Sequence, residues 1–169
     1  GSLNLALLAI AVRAAEAAGA AVDGLDLRDL ALPLYDGDLE ADQGAPAGER
    51  RLKEAMGRAQ GFLIASPEYN SGVTPLLLNA IAWASRKRSG EETLAAFRGK
   101  TAGLVAASTG PMGGLRGLTV LRALLQNVGV TVVPEMAPVA SLDPAGGGFD
   151  AQGNLTANPR AQQSVEQVA

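Results

Sequence analysis

The chain has 169 residues, 47% of them hydrophobic and 18% charged, enough to bury one sizeable core and about the length of a single domain. A net charge of -3 and an isoelectric point near 5.0 exclude a basic stripe that would neutralise nucleic-acid phosphates or an anionic membrane. Histidine and cysteine are both absent, which removes Ser-His-Asp and Cys-His nucleophile pairs, imidazole or thiolate zinc sites and the commonest general base.

In chain order, residues 3–19 are rich in Ala and Leu. Leu5, Leu8, Val12 and Ala15 recur at helical spacing and Gly19 supplies a stop, so a helix is predicted. Residues 21–27 form a short apolar run that predicts a strand, and residues 28–47, heavy in Pro, Asp and Gly, predict a loop. In that loop Asp36, Asp38, Glu40 and Asp42 make a solvated acidic run rather than a spaced catalytic pair. A helix over 48–60 and a continuous apolar strand over 62–66 follow. Pro75 opens a helix at its favoured first-turn position, running to about Arg88. Residues 101–108 are the next strand. Gly99-Lys100-Thr101 is not a phosphate loop, because the motif requires glycine where Leu94 stands. After the tight turn TGPMGG comes an amphipathic helix, with Leu115, Leu118, Leu121, Leu124 or Leu125, and Val128 on one face. Residues 130–133 predict a last strand, 141–158 an irregular excursion, and Pro159 the start of a terminal helix.

Strands that are apolar throughout and alternate with helices indicate an α/β fold with a parallel sheet covered on both faces. No apolar run approaches the roughly 20 residues that span a bilayer. The start, with Arg13 and Glu16, lacks a signal-peptide layout, so a cytoplasmic protein with no membrane partner is expected.

The most informative stretch is SPEYNSGVTPLLLNAIAWASR, residues 66–86, where an apolar strand feeds a polar, aromatic loop and then a helix. Ligands bind at this carboxyl edge in open α/β sheets. The stretch resembles the NAD(P)H-dependent FMN reductase family, whose members carry PEYN, a small residue, and a helix close to LKNAIDWAS. The resemblance implies a doubly wound flavodoxin-like sheet of five strands, order 2-1-3-4-5, over one FMN-binding domain spanning 1–169. The family opens on a strand and a phosphate loop, GSxRxxSxN, of which Ser2-Leu3-Asn4 resembles the end. The first strand is therefore expected to be missing and the domain N-terminally incomplete.

By the same resemblance three loops converge on FMN. Ser2 and Asn4, at the positive end of the first helix, suit its phosphate. Pro67, Glu68, Tyr69, Asn70, Ser71 and Gly72 wrap one side of the flavin ring. Ser108, Thr109, Gly110, Met112, Gly113 and Gly114 hold its pyrimidine end. No catalytic side chain or metal is expected, since the flavin carries the chemistry: hydride comes from NADPH or NADH and leaves to a quinone, free flavin, azo dye or metal oxyanion. The alternative is an FMN-binding electron carrier or redox-sensing module. Leu78 and Ala82 stand where the family often has Lys and Asp, leaving an apolar stripe beside Trp83. A homodimer or homotetramer that buries Leu78 and part of Trp83 is expected.

Overall fold

The computed structural model describes residues 2–140, 148–156 and 158–169. In chain order these form α1 (Leu3–Ala17), a 3-10 turn (Leu27–Leu30), α2 (Gly37–Gln43), α3 (Ala47–Arg58), β1 (Gly61–Ala65), α4 (Pro75–Ala84), β2 (Thr101–Ala107), α5 (Leu115–Asn127), β3 (Thr131–Val132), β4 (Ala137–Val139) and α6 (Pro159–Gln167). Every strand pairing is parallel. β2 lies at the centre, with β1 on one edge and β3 then β4 along the other.

The pattern of β2 explains the layering. Ala102, Leu104 and Ala106 bury one face under α3, α4 and α5, where Leu52, Ile81, Leu118, Leu121 and Leu125 pack. Val105 and Ala107 bury the other face under α1 and α6, against Leu7, Ile10, Val165 and Val139. A strand covered on both sides has no polar alternation to show, which is why it reads as a continuous apolar run. Each fully buried Leu contributes about 1.5–3 kcal/mol. Among the described residues no helix is long and apolar enough to cross a membrane.

Four expectations are corrected. Residues 21–26 belong to no strand, and residues 27–30 form the 3-10 turn. In the 2-1-3-4-5 order this segment pairs with the first strand rather than with β1, and no such strand lies among the described residues, so its backbone faces solvent. Within the expected loop, α2 forms because the Asp36 carboxylate accepts from the Asp38 and Leu39 N–H groups at 2.8 and 3.0 Å. The helix after Pro75 stops at Ala84 rather than Arg88. Beyond it Lys53 takes the Arg86 carbonyl at 2.8 Å, the Arg88 N–H goes to Glu91 at 3.1 Å, and Arg88 reaches buried Glu49 at 3.0 Å and Glu40 at 2.7 Å. The last strand, expected over 130–133, is confined to Thr131–Val132 because Pro134 has no N–H for the ladder, and pairing resumes in an unexpected strand at Ala137. Residues 141–147 and 157 of the expected excursion lie outside the described residues.

Trp83 is also placed otherwise than expected. It is fully buried within its own chain, its indole N–H donates to the Pro33 carbonyl at 2.8 Å, and Tyr35 meets it edge-on at 5.1 Å. It is not available to an interface. Leu78, 43% exposed, and Leu76 remain on the outer face of α4.

Candidate functional site

The register Ala65↔Val105 ends β1 and β2 at the same edge. Ser66 N–H extends the ladder to the Val105 carbonyl and Ser108 N–H to the Val139 carbonyl, both at 3.1 Å. The loops that follow therefore leave the sheet side by side. The start of α1 is brought to the same place by Asn4, whose Nδ2 donates to the Ala107 carbonyl at 3.1 Å and whose Oδ1 accepts from the Ala107 N–H at 2.9 Å. This amide substitutes for a strand partner and fixes the helix start at the sheet edge. Ser2 caps α1, its hydroxyl accepting from Leu5 N–H at 3.4 Å, and the first-turn N–H groups of Leu3 and Asn4 have no intrahelical acceptor.

In the first loop Tyr69 and Gly72 exchange both backbone hydrogen bonds, at 3.2 and 3.0 Å, across a two-residue turn. Asn70 and Ser71 both take left-handed backbone, φ 51° and 64°, as a type I′ turn requires. The turn pushes the Tyr69 ring outward, 58% exposed, while Pro67 stays half-buried at the root. Ser66 is buried and donates to the Pro67 carbonyl.

The second loop folds tightly on itself. The Ser108 hydroxyl accepts from Gly110 N–H at 3.0 Å, and Gly113 N–H reaches the Gly110 carbonyl at 3.4 Å. Thr109 and Met112 are exposed, whereas Gly113 and Gly114 are buried with φ of 60° and 87°. A Cβ on Gly114 would stand 2.6 Å from the Ala106 side chain, and one on Gly113 2.8 Å from the Val139 backbone. Both positions demand glycine.

Gly114 is the N-cap of α5 and offers no side chain to it. Glu68 supplies the missing acceptor from the other loop. Its carboxylate accepts from Gly117 N–H at 3.0 Å and from Arg116 at 2.9 Å (Nε) and 2.7 Å (Nη2). The Gly117 N–H, and then the Arg116 guanidinium, hold this carboxyl below its usual value despite its burial. The sequence singles out Glu68 but not Arg116 or Gly117. Nothing in the sequence signals this tie, since glycine is an ordinary N-cap residue.

The donor set fits a flavin. Among the described residues the backbone N–H groups of Asn70, Ser71, Thr109 and Met112 have no protein partner, and they lie along the two loops. Gly110 leaves room, since a Cβ there would meet only the Ser108 hydroxyl at 3.4 Å. Flat rings with carbonyl and nitrogen acceptors on their rim match rows of backbone donors at such an open approach. Among the described residues no cluster of acidic side chains is arranged for a metal ion. A groove of about 370 Å³ between α1 and α6 holds none of these loop residues, and its Arg13 is engaged with Asn154 at 3.1 Å.

The chain is 35% identical to an NAD(P)H-dependent FMN reductase of Pseudomonas aeruginosa, over 99% of this chain and 84% of that one. It is 32% identical to a probable NADPH:quinone oxidoreductase 2 of Oryza sativa subsp. japonica, covering 99% and 79%. Its fold superposes with TM-score 0.77 on FerB, a flavoenzyme NAD(P)H:(acceptor) oxidoreductase from Paracoccus denitrificans, at 27% identity and covering 99% and 87% of the two chains. The family model for NADPH-dependent FMN reductase matches residues 1–144, and the chain belongs to that family.

Proposed function

We propose that the protein is an FMN-dependent oxidoreductase that takes reducing equivalents from NADPH or NADH and delivers them to a quinone, free flavin or similar small acceptor. The observation that carries this reading is the meeting of α1's start with two loops, each bearing backbone donors that have no partner among the described residues, at one edge of a parallel sheet. When bound, FMN supplies the two-electron chemistry that a chain without His or Cys cannot supply from side chains.

The chain's own residues bind and orient. Ser2 and the first turn of α1 receive the phosphate, the 67–72 loop borders one side of the ring, and the 108–114 loop lets backbone approach its polar end through Gly110. Asn4, with both amide atoms on Ala107, acts on the phosphate by fixing the helix start. The exposed Tyr69 and Met112 side chains form the mouth where nicotinamide and acceptor bind in turn. A supply of reduced nicotinamide implies a cytoplasmic setting. The exposed Leu76 and Leu78 on α4 support a symmetric homodimer or homotetramer.

The test is spectroscopic. The purified protein should hold FMN, NADPH or NADH added anaerobically should bleach it, and a quinone should restore the colour with ping-pong kinetics. Flavin that binds tightly but is reduced by neither nicotinamide would replace the enzyme reading with that of an electron carrier.

A further inference from the structure

The two loops of the proposed flavin site leave adjacent strands, but adjacency at the roots does not fix their tips. Their internal bonds are local: Tyr69 with Gly72, Gly110 with Ser108, Gly113 with Gly110. Among the described residues, every hydrogen bond between residues 67–72 and 108–117 runs through the Glu68 carboxylate. It meets the third N–H of α5, the position an N-cap side chain ordinarily serves, and the Arg116 guanidinium. Gly117 makes the approach feasible. A Cβ there would stand 3.1 Å from the Gly72 carbonyl oxygen and 3.2 Å from the Glu68 Cβ, so the first loop rests directly on the helix backbone.

We propose that Glu68 is a positioning residue: by capping α5 from the opposite loop it locks the two walls of the flavin slot at a fixed separation. The proposal rests on the flavin reading above and adds what sets the slot's width. Hydride transfer requires donor and acceptor in contact over the ring, and a misplacement of about 1 Å costs on the order of 100-fold in rate. Without the carboxylate, α5 loses its only side-chain cap and the 67–72 loop loses its only polar tie to α5 among the described residues. Arg116 is the lesser member, because its guanidinium is mostly exposed while the carboxylate is 9% exposed.

The experiment compares wild type with Glu68→Ala, Glu68→Gln and Arg116→Met, well below their melting temperatures. FMN dissociation constants are read by flavin fluorescence, and amide exchange at residues 69–72 and 115–118 is followed in flavin-free protein. Glu68→Ala should weaken FMN about tenfold or more, the equivalent of one charge-assisted hydrogen bond, and should speed exchange in both segments together. Glu68→Gln keeps an oxygen for Gly117 N–H, so it should restore most of the affinity, and Arg116→Met should weaken FMN within about fivefold. A Glu68→Ala protein that melts lower yet binds FMN as wild type overturns the proposal, reducing Glu68 to a stabilising group. If the alanine variant does not fold, Glu68→Met, which fills the space but accepts no N–H, takes its place: wild-type FMN affinity with wild-type exchange in that variant overturns the proposal. A wild-type chain that does not hold FMN overturns the flavin reading instead. The clasp is then judged by amide exchange, and unchanged exchange refutes it.

Discussion

Two glycines of the second loop stand three residues apart, and a side chain at each meets different surroundings. At Gly113 the backbone has φ 60° and a Cβ would lie 2.8 Å from three backbone atoms of Val139 and Ala140. The left-handed conformation costs an L-residue roughly 1–2 kcal/mol and the overpacking roughly 1–3 kcal/mol more. Gly113→Ala should therefore lose about 2–5 kcal/mol, about 5–15 °C in melting temperature for a chain of this size. At Gly110 a Cβ meets only the Ser108 hydroxyl at 3.4 Å, so Gly110→Val should change stability by no more than about 1 kcal/mol. Its branched side chain instead occupies the open approach assigned to the flavin. Overpacking of that contact by about 1–3 kcal/mol corresponds to roughly 5- to 150-fold weaker FMN. Thermal melts of the flavin-free proteins and FMN titrations of both variants check the pair. A Gly110→Val protein that melts as low as Gly113→Ala, or one that binds FMN normally, would refute the assignment of Gly110 to the slot.

Leu78→Lys places a charge on the exposed face of α4 and should shift an oligomer toward monomer with little change in the monomer's own stability; light scattering coupled to size exclusion reads it, and a monomeric wild type at micromolar concentration would sink the idea. Among the described residues Arg88→Ala leaves Glu49, 1% exposed, with only Lys53 at 3.8 Å as a cationic partner, and should cost about 3–5 kcal/mol in urea unfolding; a loss under about 1 kcal/mol would show that Lys53 suffices. Glu68, Glu91 and Glu40 all have lowered values: Gly117 N–H acts on Glu68 and Lys53 on Glu91, while burial pushes Glu40 up and the Tyr35 hydroxyl with Arg88 outweighs it. A carboxyl lowered on folding stabilises above its ordinary value of 4.5, and that stability is lost as pH falls through the folded values. Melting temperature should thus hold steady above pH 5 and fall below 4.5, and a Glu68→Gln variant should show a shallower fall.

What the sequence determined on its own are features whose signal is local. Residues 101–108 read as a buried strand because the side chains of Ala102, Leu104, Val105, Ala106 and Ala107 each enter one of two cores, and Pro75 marked a helix start because its ring fits the first turn. The 66–72 and 108–114 segments were legible as loops too, since Gly, Pro, Asn and Ser favour turns between a strand and a helix. Tertiary structure decided what depends on partners distant in the chain. Residues 21–27 carry a strand's composition but pair with nothing among the described residues, and a ladder exists only between two segments. Trp83 lies on the same helix as Leu78, yet the Pro33 carbonyl, 50 residues earlier, turns its indole inward. Asn4 and Glu68 find their partners in Ala107 and Gly117, 103 and 49 residues away. Side-chain hydrogen bonds over such separations leave no periodicity in the chain, so only the folded molecule shows which partners these two polar residues take.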